Sequence, residues 1–270
     1  MSRVIILNTR QKNHRRPWLA AFISYRDIIR EFAVADFRLR YHDSVLGYVW
    51  FLLSPALMFS IYYLIFTRVI FVRIPDYALY LLLGIIGYNF FKDCTFSAMY
   101  SLHSKASIIK KVYFPRYLIV YSSTLTAFFS LFANFCIVLT VCFIIHGVSP
   151  LVFLIPIPVI CLILFSAGVG FLLTILYVHF RDLGQIWDVL VLAIFWITPV
   201  VYNIDALPES TQIIVFLNPL ARIFMLFRHY LLYDYFDLRF LLITIGISLL
   251  IYVVGFYVFR KYQDQIAEYI

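Results

Sequence analysis

Between Leu151 and Val178 the sequence runs for 28 residues without a charged side chain, and Tyr117–Ile145 does the same for 29. A helix of about 20 apolar residues already crosses the hydrocarbon core of a bilayer. Runs of this length are too long for strands or ordinary core helices, so the bilayer must be the solvent for much of the chain. Composition extends the argument to all 270 residues: 64% are hydrophobic and 13% charged, where a soluble domain is about half apolar and about a quarter charged. The sequence predicts an all-α polytopic membrane protein.

Four further segments bring the predicted transmembrane helices to six: about Tyr48–Ile70, Tyr77–Tyr100, Ile186–Tyr202 and Leu238–Phe259. Tyr48 and Trp50 open the first of these at the depth where aromatic rings settle between lipid and water. Residues 18–41, which precede it, repeat with a helical period. Phe22, Tyr25, Ile29 and Phe32 share one side, and Arg26, Asp27, Arg30, Glu31 and Arg38 occupy another. Pro17 suits a first turn, and an amphipathic helix of this kind is expected to lie at the interface, in the headgroup plane. The expected division is a cytoplasmic N-terminus with this helix (1–47), a transmembrane domain (48–260) and a cytoplasmic tail (261–270). A cleavable signal peptide is not expected, because "VIIL" at 4–7 is too short for its apolar region.

Gln212–Phe236 is also long enough to cross, yet Pro219 interrupts it and Arg222, Arg228 and His229 lie within it. Each charge at bilayer depth costs about 2.5–3.5 kcal/mol even on a lenient insertion scale. Two short helices that dip in and return cost less when protein or water surrounds them. A re-entrant hairpin is therefore preferred to a seventh span. The basic residues agree. With six spans the cytoplasmic side carries nine Lys/Arg in 1–47 plus Lys105, Lys110, Lys111, Arg116, Arg181, Arg260 and Lys261, sixteen in all, while the outer side carries five: Arg68, Arg73, Arg222, Arg228 and Arg239. That asymmetry places both termini in the cytoplasm. Clustering beside apolar spans makes membrane lipids, and not nucleic acid, the reason for the net charge of +8.

No GxxxxGK[ST], HExxH or GxSxG occurs, so nucleotide-driven work needs another chain. Cys94, Cys136, Cys142 and Cys161 fall inside apolar runs and the histidines are scattered, so neither a metal site nor a disulfide framework is expected. Lys92–Asp93 is the ionic pair within a span. It reads either as the lining of a solute path or as a packing pair between helices. Arg181 and Asp182, in "HFRDLGQIWD", mark a turn that is either plainly polar or else an inner gate or a partner contact. Aromatic residues make up 20% of the chain; Tyr48, Trp50, Tyr62, Tyr88, Tyr121, Trp187 and Trp196 lie within spans or at their ends. Flat rings with a polar edge suit sugar faces along a channel, and they equally suit bundle packing. Ser166, Gly168 and Gly170 form a small-residue patch that reads as helix packing.

Six segments, in order, carry a resemblance. "LRYHDSVLGYVWFLLSPALM" (39–58), "GIIGYNFF" (84–91), "IIKKVYFPRYL" (108–118), "FRDLGQI" (180–186), "ITPVVYNIDALPE" (197–209) and "LNPLARIFMLFRHYLL" (217–232) resemble the ABC-2-type membrane subunits that export polysaccharides and polyol phosphates. These are the O-antigen, capsule and teichoic-acid permeases.

The resemblance implies a transport subunit and not an enzyme. It implies a homodimer in the bacterial cytoplasmic (inner) membrane, each copy docked on an ATP-binding cassette subunit that holds ATP and Mg. A lipid-linked polysaccharide would pass outward between the copies, and no cofactor is expected in this chain. Loop 101–116 would couple to the ATPase through Leu102, Lys105, Ile108, Ile109, Lys110, Lys111 and Tyr113, with Arg26 and Arg30 of the amphipathic helix beside them. The dipping segment 205–236 would form re-entrant outer gate helices, with Pro208, Asn218, Pro219, Arg222 and Arg228 in the gate. An ABC-2 exporter of a small hydrophobic molecule is the alternative cargo. A membrane-embedded transferase acting on lipid-linked sugars is the alternative chemistry; it would need convergent carboxylates, and the spans offer Asp93 and Asp188.

Overall fold

The computed structural model describes residues 18–41, 45–111, 114–147 and 149–263, with side chains of the first helix described for 25–40. Among these residues the regular structure is entirely helical. Four segments are long and apolar enough to cross a membrane: Gly47–Val69, Tyr117–His146, Pro150–His179 and Leu238–Tyr262. Glu209–Leu217 and Pro219–Leu231 would make a fifth if taken as one span, but they meet at 102°. Four of the six expected crossings thus have the length and apolarity of a span, and the bent pair coincides with the expected re-entrant segment.

Helix α1 (Trp18–Tyr41) has the two-sided character expected of it. Arg26, Asp27, Arg30, Glu31 and Arg38 are exposed, while Ile29 and Ala33 are buried. The apolar stripe is not left for lipid alone, because α5 (Tyr117–His146) covers part of it. Thr126 donates to the Ala33 carbonyl at 3.2 Å, and the Phe129 ring meets Phe37 edge-on at 5.8 Å. A short turn, Gly47–Val49, with Gly47 at a φ of +50°, leads into α2 (Trp50–Leu64). Pro55 is the only buried residue of α2, so its apolar surface faces away from the rest of the chain.

Helix α3 (Tyr77–Ser104) is the hub, packing on α2, α5, α6 (Pro156–His179), α7 (Leu183–Ile197) and α9 (Pro219–Leu231). Eighteen of its 28 residues are buried, so the polar groups it carries must find partners in protein. It continues to Ser104, past the expected end at Tyr100, and a single turn, α4 (Ala106–Ile109), follows.

Two other boundaries differ from the sequence reading, and proline explains both. The fourth span begins as a tight turn, Pro150–Leu154, and becomes α-helical at Pro156. Pro156 and Pro158 lack the amide proton that an interior position would need, so they fit the first turn. The fifth span was expected to reach Tyr202, but α7 ends at Ile197. Pro199 pushes Thr198 into an extended conformation (φ −82°, ψ 133°). Helix α8 (Glu209–Leu217) meets α9 at Asn218, whose side chain accepts from the Leu220 amide, with Pro219 in the first helical position. Helix α10 (Leu238–Tyr262) then makes the most extensive helix pairing in the molecule, against α6.

Candidate functional site

At the α4 end, Ile108, Lys110 and Lys111 are exposed and Ile109 is half-buried. Arg26 and Arg30 lie exposed on α1. Val112 and Tyr113 lie outside the described residues. Two residues expected on the docking surface are elsewhere. Leu102 is buried under α4 in a cluster with Ile119, Phe171 and Phe259. Lys105 is also buried, its ammonium 2.6 Å from Asp36 of α1 and 5.8 Å from the centre of the Phe32 ring. A lysine drawn into protein by a carboxylate and a ring face is an internal strut, not a contact for a partner.

The strut is testable on its own. In a double-mutant cycle of Asp36→Ala and Lys105→Ala, thermal unfolding should show coupling of about 1–3 kcal/mol. Additive effects would mean that the pair ties nothing together.

Behind this end lies a cavity of about 490 Å³ between α1, α2, α3 and α5. A smaller one of about 180 Å³ adjoins it, and Arg40 lines both. Arg40 closes the last turn of α1 and reaches into α3: Nη1 lies 3.2 Å from Asp93 Oδ2, and Nη2 donates to Ser97 Oγ at 2.7 Å. Asp93 is therefore a partner between helices, while Lys92 faces the cavity. Arg40 was not singled out in the sequence. The signal for it was indirect, since a carboxylate inside a span requires a cation from some other element.

Near the opposite end of α3, Arg228 of α9 is completely buried. Its guanidinium carbon stands 3.3 Å from the centre of the Tyr80 ring, and Nη2 donates to the carbonyls of Tyr80 and Val200, each at 3.3 Å. Nε and Nη1 have no partner among the described residues. The hydroxyls of Tyr77 and Tyr80 donate to the Val201 and Tyr202 carbonyls at 2.9 and 2.6 Å. One cluster thus pins α3, α9 and the segment after α7. Charge counting put Arg228 in a hairpin that needs protein or water around it; the ring face and two carbonyls solvate the cation inside protein.

Arg222 sits between the rings of Phe216 and Phe240, at 5.7 and 5.2 Å, and donates to the Phe216 carbonyl. Asn218 also donates to Thr198 Oγ1 at 2.7 Å, joining the α8–α9 bend to the end of α7. Pro208 precedes α8 and is exposed.

The seven aromatic candidates divide. Tyr88 is buried, its hydroxyl donating to the Val191 carbonyl, and Trp187 is buried with Nε1 on Thr95 at 3.2 Å. Tyr121 packs edge-on to Phe171 and shares a hydrogen bond with the Tyr252 hydroxyl. These three are held by contacts within one copy of the chain, which corrects the channel-lining assignment for Tyr88 and Trp187. Tyr62 stacks on Phe195, while Tyr48, Trp50 and Trp196 are exposed. Arg181 and Asp182 form an exposed turn between α6 and α7.

A family profile described as "ABC-2 type transporter" matches residues 29–232. An O-antigen export system permease protein RfbA of Klebsiella pneumoniae is 30% identical over 236 residues, covering 86% of this chain and 91% of the relative. A relative of the same name from Myxococcus xanthus is 26% identical over 204 residues, covering 73% and 77%.

Proposed function

Because the chain belongs to the ABC-2 type transporter family, we propose that it is the membrane-spanning permease subunit of an ATP-driven exporter. Its cargo is a lipid-linked polysaccharide of the O-antigen type, carried outward across the bacterial inner membrane. The observation that carries this reading is the breadth of the likeness: 30% identity extends over 91% of a relative named for O-antigen export. A shared motif alone would not give that.

ATP and Mg reside in a separate ATP-binding cassette subunit, in keeping with the lack of a phosphate loop here. Helices α2, α3, α5, α6, α7 and α10 cross the membrane, α8 and α9 form the re-entrant outer gate, and both termini are cytoplasmic. The chain works as a homodimer. Leu57, Ile61 and Leu64 on α2, with Val189, Leu192 and Trp196 on α7, present apolar faces outward. Neither helix packs broadly on its own chain, and a second copy covers these faces around a shared path. Closure of the ATPases on ATP presses on Ile108, Lys110 and Lys111. Because α4 follows α3 directly, and Lys105–Asp36 and Arg40–Asp93 fasten α3 to α1, the push moves both helices together. At the far end of α3 the Tyr80–Arg228 contact passes the motion to α9.

Replacing Lys110 and Lys111 by Glu tests the docking surface. Export should fall by about tenfold or more, because opposed like charges cost several kcal/mol at an interface. Lipid-linked polymer should collect in the cytoplasm while the permease stays at its normal level in the membrane. Normal export by this variant would remove the docking role. Deleting the chain tests the reading as a whole: polymer trapped inside supports export, and failure to make polymer at all points to a transferase.

A further inference from the structure

An exposed cation, Lys92, lines the cavity between α1, α2, α3 and α5. The Lys92 ammonium makes no ion pair or hydrogen bond among the described residues, although its sequence neighbour is an acid. Asp93 is engaged by Arg40 at 3.2 Å, and adjacent residues on a helix point in different directions. Lys92 stands 12 residues from the Ser104 end of α3 and 15 from the Tyr77 end. Those separations are about 18 Å and 22 Å at 1.5 Å per residue. With α3 as a span, Lys92 lies well inside a hydrocarbon core of about 30 Å.

The walls around it describe a ligand. Arg40, Lys92 and Asp93 together leave one positive charge in surplus. The buried Ser130 hydroxyl, which also lines the cavity, has no hydrogen-bond partner among the described residues, and the Asn89 amide adds donors to the lining. The facing wall is α2, apolar through Trp50 and Met58. A polar anion alone would leave that apolar wall unmatched. An apolar molecule would leave the ammonium unneutralised.

We infer that this cavity binds the phosphate group of a lipid, with Lys92 as the cation that receives it and Arg40 held beside it by Asp93. The chain of the lipid runs out along α2. The inference rests on the membrane-spanning reading above, which sets the depth of Lys92. The phosphate belongs either to a bulk anionic phospholipid or to the polyprenyl diphosphate that anchors the cargo, and the chemistry at Lys92 is the same.

The experiment uses the purified full-length chain in phosphatidylcholine nanodiscs, titrated with phosphatidylglycerol or with a polyprenyl diphosphate and read by native mass spectrometry. Lys92→Met removes an uncompensated charge at equal length and should insert at least as well as the parent. It should bind about tenfold more weakly, the worth of one charge-assisted contact, and Lys92→Arg should restore binding. Weakening for both lipids marks a general phospholipid site, and weakening for the diphosphate alone marks a cargo-head site; either supports the inference. Equal binding by the parent and Lys92→Met, or no binding of either lipid by the parent, overturns it. Polymer export that survives deletion of the chain would overturn the exporter reading and leave the lipid result standing.

Discussion

Gly255→Ala should sharply destabilise the bundle, whereas Gly246→Ala, nine residues earlier on the same helix, should not. A methyl at residue 255 would stand 2.2 Å from the Gly168 carbonyl oxygen of α6, and one at residue 168 would stand 2.7 Å from the Ile251 carbonyl and the Tyr252 backbone. Both obstacles are main chain, so no side chain can swing aside, and the helices must part. Overpacking typically costs about 1–3 kcal/mol when side chains can yield. Here the cost should reach about 3 kcal/mol or more, since the α6–α10 pairing is the largest in the molecule. A melting temperature lower by about 10 °C is expected, with poor recovery from membranes. At Gly246 nothing lies within 4 Å of the added methyl. Relief of glycine's chain entropy should then leave stability unchanged or raised by about 0.5–1 kcal/mol. Equal melting of the two variants would mean that the helices do not touch backbone to backbone.

Arg228→Ala should be nearly as damaging. It empties a fully buried site, removes the stack on Tyr80 and leaves the Val200 carbonyl without this donor. Cavity formation and the lost cation–π contact together suggest about 3–5 kcal/mol. Arg228→Lys should not rescue it, because a compact ammonium cannot spread flat over the ring and bridge two carbonyls. Arg228→Met is the informative case. It fills the volume and relieves Nε and Nη1 of burial without partners, so the fold should survive. Export should still fail if Tyr80–Arg228 transmits motion to α9. Full export by Arg228→Met would reduce the residue to packing, and thermal unfolding set beside export separates the two roles.

The sequence reading went furthest where the signal was local. The 3.6-residue period of 25–40 placed Ile29 inward and Arg26, Arg30 and Arg38 outward, as the structure has them. Pro219, with basic residues after it, foretold the 102° break. Gly168 and Gly170 were read as packing, and Gly168 meets α10 directly. What stayed hidden was set by distant partners. Nothing around Arg228 reveals that Tyr80, 148 residues earlier, offers it a ring and a carbonyl. Nothing around Asp93 points to Arg40, 53 residues away. Lys105 was expected to face the ATPase, and nothing near it in sequence points to Asp36, 69 residues earlier. The end of α7 was legible in Pro199, but the apolar run through Val200 and Val201 argued for continuation.

The burial of Arg228 also bears on how the protein is made. Both carbonyls that receive it lie upstream, by 148 and 28 residues. At about 5–20 residues per second, α3 and the end of α7 leave the ribosome before α9 does. The guanidinium therefore emerges with its acceptors already synthesised and need not wait against lipid for a partner to be translated. Chain order lets α9 meet acceptors already made, with α10 still to follow. Reversing that order by circular permutation would present the same charge to the bilayer first, and the final structure alone would give no warning of the difference.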